Sequence, residues 1–355
     1  MLGARGAARR GLLLAAAAAA VVPFASAPSE RTITDAAGRR VAVRAPARRV
    51  YAAGPPASIL VFALAPDALI GWTTAFRPAE RPFVPERYAE LPTLGRLTGR
   101  GNTANIEVVL AAKPDVILDY GTVNPTFASL ADRVQEQTGI PYLLLDGAFD
   151  RIPAAFTLLG ELLGARALAA DWARYATATL ADITARVERV PPERRPRVYY
   201  ARGPTGLNTG LAGSINVEGI ERVGAVNVAA ALGRGGLAQV SIEQVLGWAP
   251  EAIITIDPNF YADVWDDPLW RGMPAVRAGR VYLAPNVPFG WIDFPPSVNR
   301  LIGMRWLAKV LYPDAFPEEL RAAVRDFYTR AYHQTPTEAQ LDALLATAER
   351  RTRGT

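Results

Sequence analysis

The sequence predicts an α/β fold of two lobes, each with a mainly parallel sheet flanked by helices, joined by a long linker helix. Three observations predict it. Short apolar runs alternate with helical segments, then do so again further along, the order of parallel sheets. The stretch 153–189 carries no strand signal and is dominated by Ala, Leu, Glu and Arg. An internal repeat aligns Asn105-Ile-Glu-Val-Val-Leu-Ala-Ala-Lys-Pro-Asp-Val-Ile-Leu118 with Ser241-Ile-Glu-Gln-Val-Leu-Gly-Trp-Ala-Pro-Glu-Ala-Ile-Ile254. The 355 residues, 50% hydrophobic and 21% charged, suffice for two domains of roughly 100–200 residues each and a large core.

Residues 1–27 read as a secretory signal: Arg5, Arg9 and Arg10, an apolar Ala-rich run over 11–22, then Ala25-Ser26-Ala27. The run of about 12 residues is too short to span a bilayer. The Arg9-Arg10 pair leaves both the general and the twin-arginine export routes open. The first lobe is expected over 28–152. It comprises a hairpin over 31–44, a strand over 48–53, a helix over 59–65 capped by Ser58, and a strand over 68–72. Asn105 caps a short helix ahead of a strand over 116–120, and a helix over 126–138 precedes a strand over 142–146. The linker is expected over 153–192, with a helix at 166–189 about 36 Å long at roughly 1.5 Å per residue. In the second lobe, 193–333, strands are expected over 197–201, 252–256 and 281–284. Between them come a Gly-rich loop over 203–213, a helix over 215–223 and a short helix capped by Ser241. A buried helix covers 296–311. Thr335 to Glu338 form a capping box that opens a last helix and tail over 334–355.

Composition excludes whole classes of chemistry. No cysteine means no disulfide, thiolate site, thiol nucleophile or Cys-borne lipid. His333 is the one histidine, expected on the solvated tail side, so a multi-His metal site is impossible. Lys113 and Lys309 are the only lysines, which leaves little room for Schiff-base or phosphate-loop chemistry. No basic patch with interleaved aromatics points to nucleic acid. The loop Gly203 to Gly210 follows a strand as a phosphate cradle would, but its spacing is neither G-x-G-x-x-G nor the lysine-bearing form. A secreted α/β enzyme is therefore the weaker alternative, and no catalytic residue, metal ligand or cofactor is assigned. The repeat sets Glu107 and Glu243 at equivalent helix starts, where the helix dipole favours an acid.

Taken in order, these segments resemble the periplasmic solute-binding proteins of ABC importers, in the helical-linker class serving iron-siderophores, haem, cobalamin and related ligands. The resemblance spans 31–333. Its carriers are Ile33 to Arg39 with Arg48-Arg49-Val50, Asn105-Ile106-Glu107 leading to Lys113-Pro114-Asp115, Ser241 to Leu246 leading to Pro250, and Pro268-Leu269-Trp270 leading to Ala278 to Tyr282. It implies a ligand cleft between lobes that move little, a monomer, and a permease–ATPase partner in the inner membrane docked through Glu107 and Glu243. It also implies a periplasmic location, unlipidated here for want of a cysteine. A sensor partner in place of a transporter stays open.

Ligands of open α/β sheets sit beyond the carboxyl ends of the strands. The loops expected there supply Ser58, Tyr120, Arg202, Asn208, Ser214, Asn216, Tyr261 and Trp291 as ligand-binding candidates. Aromatic faces and one arginine suit a bulky anionic chelate, which the resemblance implies to carry a metal, expected to be ferric; the alternative is a tetrahedral oxyanion such as molybdate or tungstate. A bare divalent cation is not expected, since the cleft loops hold only scattered acids.

Overall fold

The computed structural model describes residues 29–99 and 104–346. The expected signal at 1–27 and the end of the tail lie outside the described residues. Two parallel sheets organise the chain. In the first, Val116–Gly121 lies between Val50–Ala52 and Tyr142–Asp146. In the second, the order is Val281–Leu283, Ala252–Thr255, Arg197–Ala201, Val226–Asn227. Central strands such as Val116–Gly121 and Ala252–Thr255 are buried on both faces, which is why they read as continuous apolar runs. An antiparallel hairpin, Ser29–Thr34 with Arg40–Ala45, precedes the first sheet.

The sequence repeat is a structural repeat. Asn105 caps Ile106–Ala112 through its side chain, and Ser241 caps Ile242–Trp248 in a capping box with Gln244. Both helices end on a left-handed residue, Lys113 at φ 46° and Ala249 at φ 45°. The Asp115 carboxylate then accepts the Arg49 amide at 2.9 Å, and Glu251 accepts the Arg197 amide at 2.9 Å. Each of those arginines turns back to cap its helix: Arg49 Nη2 donates to Ala112 O at 2.7 Å, Arg197 Nη2 to Trp248 O at 2.9 Å. The matching acids and arginines thus lock helix to strand in the same way in both lobes. The first lobe has a further bond, since Asp115 also accepts the Arg48 amide at 2.7 Å, whereas Pro196 at the matching place has no N–H to offer.

Helices Ile152–Leu163 and Arg166–Val187 join the sheets. The second has 22 residues, about 33 Å at 1.5 Å each. Gly160 lets the pair cross closely, since a Cβ there would stand 2.3 Å from that of Ala169. One apolar core runs from Val50 and Phe62, through Trp172 and Ile183, to Tyr200 and Ile254. The buried helix Arg300–Leu311 belongs to it.

Several expectations need correction. Residues 68–72 form no strand: Leu69 bridges Val50 and Trp72 bridges Thr93, because the turn Pro66–Ala68 and the crowded Gly71 leave no straight run. Helix 59–65 begins earlier, at Pro55–Leu64 with Gly54 as its N-cap, so Ser58 is interior and caps nothing. The helix expected at 215–223 is confined to Glu218–Arg222, and that expected at 296–311 starts only at Arg300. The Gly-rich loop contains a strand, Asn208–Gly210, paired with Leu237–Gln239. A helix not expected, Arg321–Tyr332, packs Phe327 against Trp172 and Tyr328 against Phe83. His333 ends it and is no solvated tail residue: Nε2 lies 2.8 Å from Phe62 O, and the ring packs edge-on against Phe62.

Candidate ligand cleft

The carboxyl ends of the two sheets face one another, and contacts between them define the cleft. Gly147 follows strand Tyr142–Asp146. A Cβ there would lie 2.9 Å from Gly121 Cα and 3.2 Å from Ile215 Cδ1 of the opposite lobe. The floor is therefore closed to anything larger than a hydrogen at that point. Arg300, only 2% exposed, ties the lobes together. It donates to Gly147 O, to Ile215 O at 3.3 Å and to Glu218 Oε2 at 2.8 Å. Glu218 uses its other oxygen to accept the Phe149 amide at 2.8 Å. Ser297 Oγ reaches across to Pro56 O at 2.7 Å.

A second polar cluster lies in the later lobe around Asp293, which is 1% exposed. Arg202 Nε stands 2.9 Å from Oδ2, and Tyr200 donates its hydroxyl to Oδ2 at 3.0 Å. Asn216 Nδ2 donates to Oδ1 at 2.8 Å, and the Phe294 amide to Oδ1 at 2.7 Å. Ser214 Oγ donates to Asn216 Oδ1 at 2.9 Å, and Arg202 Nη1 to Asn208 Oδ1 at 3.2 Å. The segment 214–218 links both clusters: Ser214 and Asn216 join Asp293, while Ile215 and Glu218 touch the first lobe. Each arginine enters already paired with a carboxylate, so the floor carries little net charge and presents mainly dipoles.

The candidates thus separate. Arg202, Asn208, Ser214 and Asn216 belong to one network. Tyr120 closes strand Val116–Gly121; burial pushes its phenol upward, with the Arg300 charge opposing. Among the described residues neither its hydroxyl nor the neighbouring Arg300 Nε has a partner at full hydrogen-bond geometry, although the phenol and the guanidinium lie close enough to interact. Ser58 is buried and donates to Pro55 O at 2.8 Å within its own helix. Tyr261 packs edge-on against Trp265 from the short helix Pro258–Asp263. Trp291 must be moved from the cleft surface to the core: it is 0% exposed and its indole N–H donates to Tyr328 OH at 3.0 Å. Its loop crosses to the first lobe, where Phe289 packs on Trp72 and Phe76.

Two glycines of 203–213, Gly206 and Gly210, answer to packing, whereas Gly203 stands in open space at φ +74°. Gly206 has φ +70°, and a Cβ there would strike Phe260 at 2.3 Å. Arg300 and Glu218 lie outside the loops where sequence places the site residues. A charged residue opening a helix as apolar as Leu301 to Leu311 was the available signal, since buried charge requires partners. Among the described residues no three His, Asp or Glu side chains gather to hold a metal ion. Glu107 and Glu243 stand exposed on the repeat helices.

Comparison with known proteins agrees with this architecture. A family model described as periplasmic binding protein matches residues 62–288. The chain is 29% identical over 256 residues to the molybdate-binding protein MolA of Haemophilus influenzae, covering 66% of this chain and 72% of MolA. It is 25% identical over 304 residues to the uncharacterized ABC transporter substrate-binding lipoprotein YvrC of Bacillus subtilis, covering 81% and 87%. A solved ABC transporter solute binding protein from Sulfurospirillum deleyianum superimposes with TM-score 0.81 at 30% identity, covering 89% of this chain and 99% of that one. MolA with bound molybdate superimposes with TM-score 0.72 at 24% identity, covering 86% and 99%.

Proposed function

The chain belongs to the periplasmic binding protein family, and we propose that it captures a small tetrahedral oxyanion of the molybdate or tungstate kind for an ABC importer. The closed floor carries this reading. With Ile215 against Gly147 and both arginines already neutralised, the cleft suits a ligand gripped by N–H and O–H dipoles more than a bulky anionic chelate seeking a free cation. The Tyr120 hydroxyl and Arg300 Nε, neither held at full hydrogen-bond geometry, are donors of the right kind. Helix Pro55–Leu64 turns the positive end of its dipole to the same side. The relative named for molybdate supports the same choice. A ferric chelate is the second reading, favoured by Phe294, a residue 69% exposed next to Asp293 whose ring would cover an organic shell.

In this reading Glu107 and Glu243 dock the protein on a membrane permease. On the same reading the protein acts in the periplasm as a monomer that binds and releases its ligand, and its sequence holds no cysteine to carry a lipid. A thermal-shift and calorimetric panel of molybdate, tungstate, sulfate, a ferric siderophore and haem tests the ligand. Molybdate and tungstate should stabilise the protein. Tyr120→Phe should weaken them about tenfold, the weight of one hydrogen bond to a charged group. The melting temperature of the ligand-free variant separates lost binding from lost folding, since the hydroxyl lies beside Arg300. Stabilisation by the ferric siderophore or haem alone would overturn the proposal.

A further inference from the structure

The helices bearing Glu107 and Glu243 share a second feature. Leu110 and Leu246 are each 45% exposed, and each follows its glutamate by three residues. Residues three and four apart share a helix face, so glutamate, leucine and then Ala111 or Gly247 form one exposed strip. A single exposed leucine on a surface needs no explanation. Here the same side chain holds the same register in two segments that differ beside it, Val108 against Gln244 and Ala112 against Trp248. Neither helix needs that leucine for its fold: Val109 and Val245 make the buried contact, and Asn105 and Ser241 supply the caps.

We infer that Leu110 and Leu246 are the apolar anchors of the permease contact, each seated beside a glutamate that finds a basic pocket. The inference rests on the docking reading of Glu107 and Glu243. Because the two units are copies, the partner presents one surface twice, as a two-fold symmetric membrane dimer does: a cation flanked by an apolar patch. Exposed charges steer the encounter, whereas desolvated apolar side chains slow the release. Hydrogen bonding from Ser241 and from its own amide keeps the Glu243 carboxyl below the ordinary value, so the acid is charged when it docks.

The test is binding of the intact protein to its cognate permease–ATPase complex in nanodiscs, at low and high salt. Leu110→Ser and Leu246→Ser should each weaken binding about tenfold through faster release, with an unchanged salt dependence. Glu107→Arg with Glu243→Arg should abolish it. Melting temperature and oxyanion affinity should stay at wild-type values in all variants. If the double leucine variant binds like wild type while the glutamate variant fails, the anchors fall and the docking reading survives. If the glutamate variant binds normally, the docking reading falls and takes the inference with it. A dimer in sedimentation that the leucine changes dissolve, with permease binding intact, would assign the strip to a second copy and overturn the inference.

Discussion

Asp119 illustrates how one residue at the end of a strand answers to burial. Its carboxyl accepts Thr98 Oγ1 at 3.2 Å, the Tyr120 amide at 3.0 Å and Tyr142 OH at 3.3 Å. Burial outweighs these bonds and pushes it up to about 6. A carboxyl raised above its unfolded value, about 3.9, stabilises the fold as the neutral acid. That contribution is complete below about pH 4 and is lost as pH rises through about 6. Asp119→Asn removes the titration and keeps one of the two acceptor oxygens, the one that takes Thr98 Oγ1 and the Tyr120 amide. Urea unfolding at several pH values should therefore show the wild type losing stability relative to the variant between about pH 4 and 6. Parallel curves would mean the carboxyl is not raised. The residues of the cleft were legible to differing degrees. That Arg202, Ser214 and Asn216 share one network was partly legible, because all three lie in the loop region that follows strand Arg197–Ala201. Trp291 was misplaced because position after a strand cannot tell a loop that lines the cleft from one that crosses it and buries its rings in the other lobe.

At the scale of elements, the repeat is what the sequence declared most clearly. Cap, short helix, proline and buried strand recur with matching acids, and Asp115 and Glu251 accept the equivalent amides of Arg49 and Arg197. The left-handed turn between them was not legible, because neither copy marks it with glycine: Lys113 and Ala249 hold it at a steric cost of about 1–2 kcal/mol each. Ala249 is exposed, so Ala249→Gly should relieve that strain, less the roughly 0.4–1 kcal/mol lost to a freer unfolded chain. A net gain of about 0.5–1 kcal/mol in chemical denaturation is expected; a loss would show that the turn is unstrained. Helix Arg321–Tyr332 is absent from the sequence-based order for the opposite reason. Val324, Phe327, Tyr328, Ala331 and Tyr332 keep helical spacing, but Leu320 offers no side-chain cap to announce a start. Strand Val226–Asn227 is too short to show any period.

Over the whole molecule, two sheets do not make two independent folding units. The core passes without a break from Phe62 through Trp172 to Tyr200, and Phe156 stacks on Trp172 at 5.0 Å where the linker begins. Helix Arg321–Tyr332 comes after the second sheet in the chain yet packs on Phe83 and Trp172, so the last helices fasten the lobes from behind. At the cleft, Arg300 and Glu218 fasten them from the front, and Arg222 adds a pair with Asp150 at 2.6 Å that is largely exposed and weak. None of this long-range closure is visible in local sequence, because it depends on which faces meet after folding. It predicts one cooperative thermal transition, with the calorimetric enthalpy equal to the van't Hoff enthalpy for the full chain. Arg300→Met should lower the midpoint by leaving Glu218 half-buried without its cation, at a cost of roughly 3 kcal/mol before relaxation. It should leave the transition single, since the core still couples the sheets. Two resolved transitions in the wild-type protein would mean that the linker and the crossing helix transmit no stability between lobes. Two transitions in the variant alone would place the coupling in the Arg300 latch instead of the core.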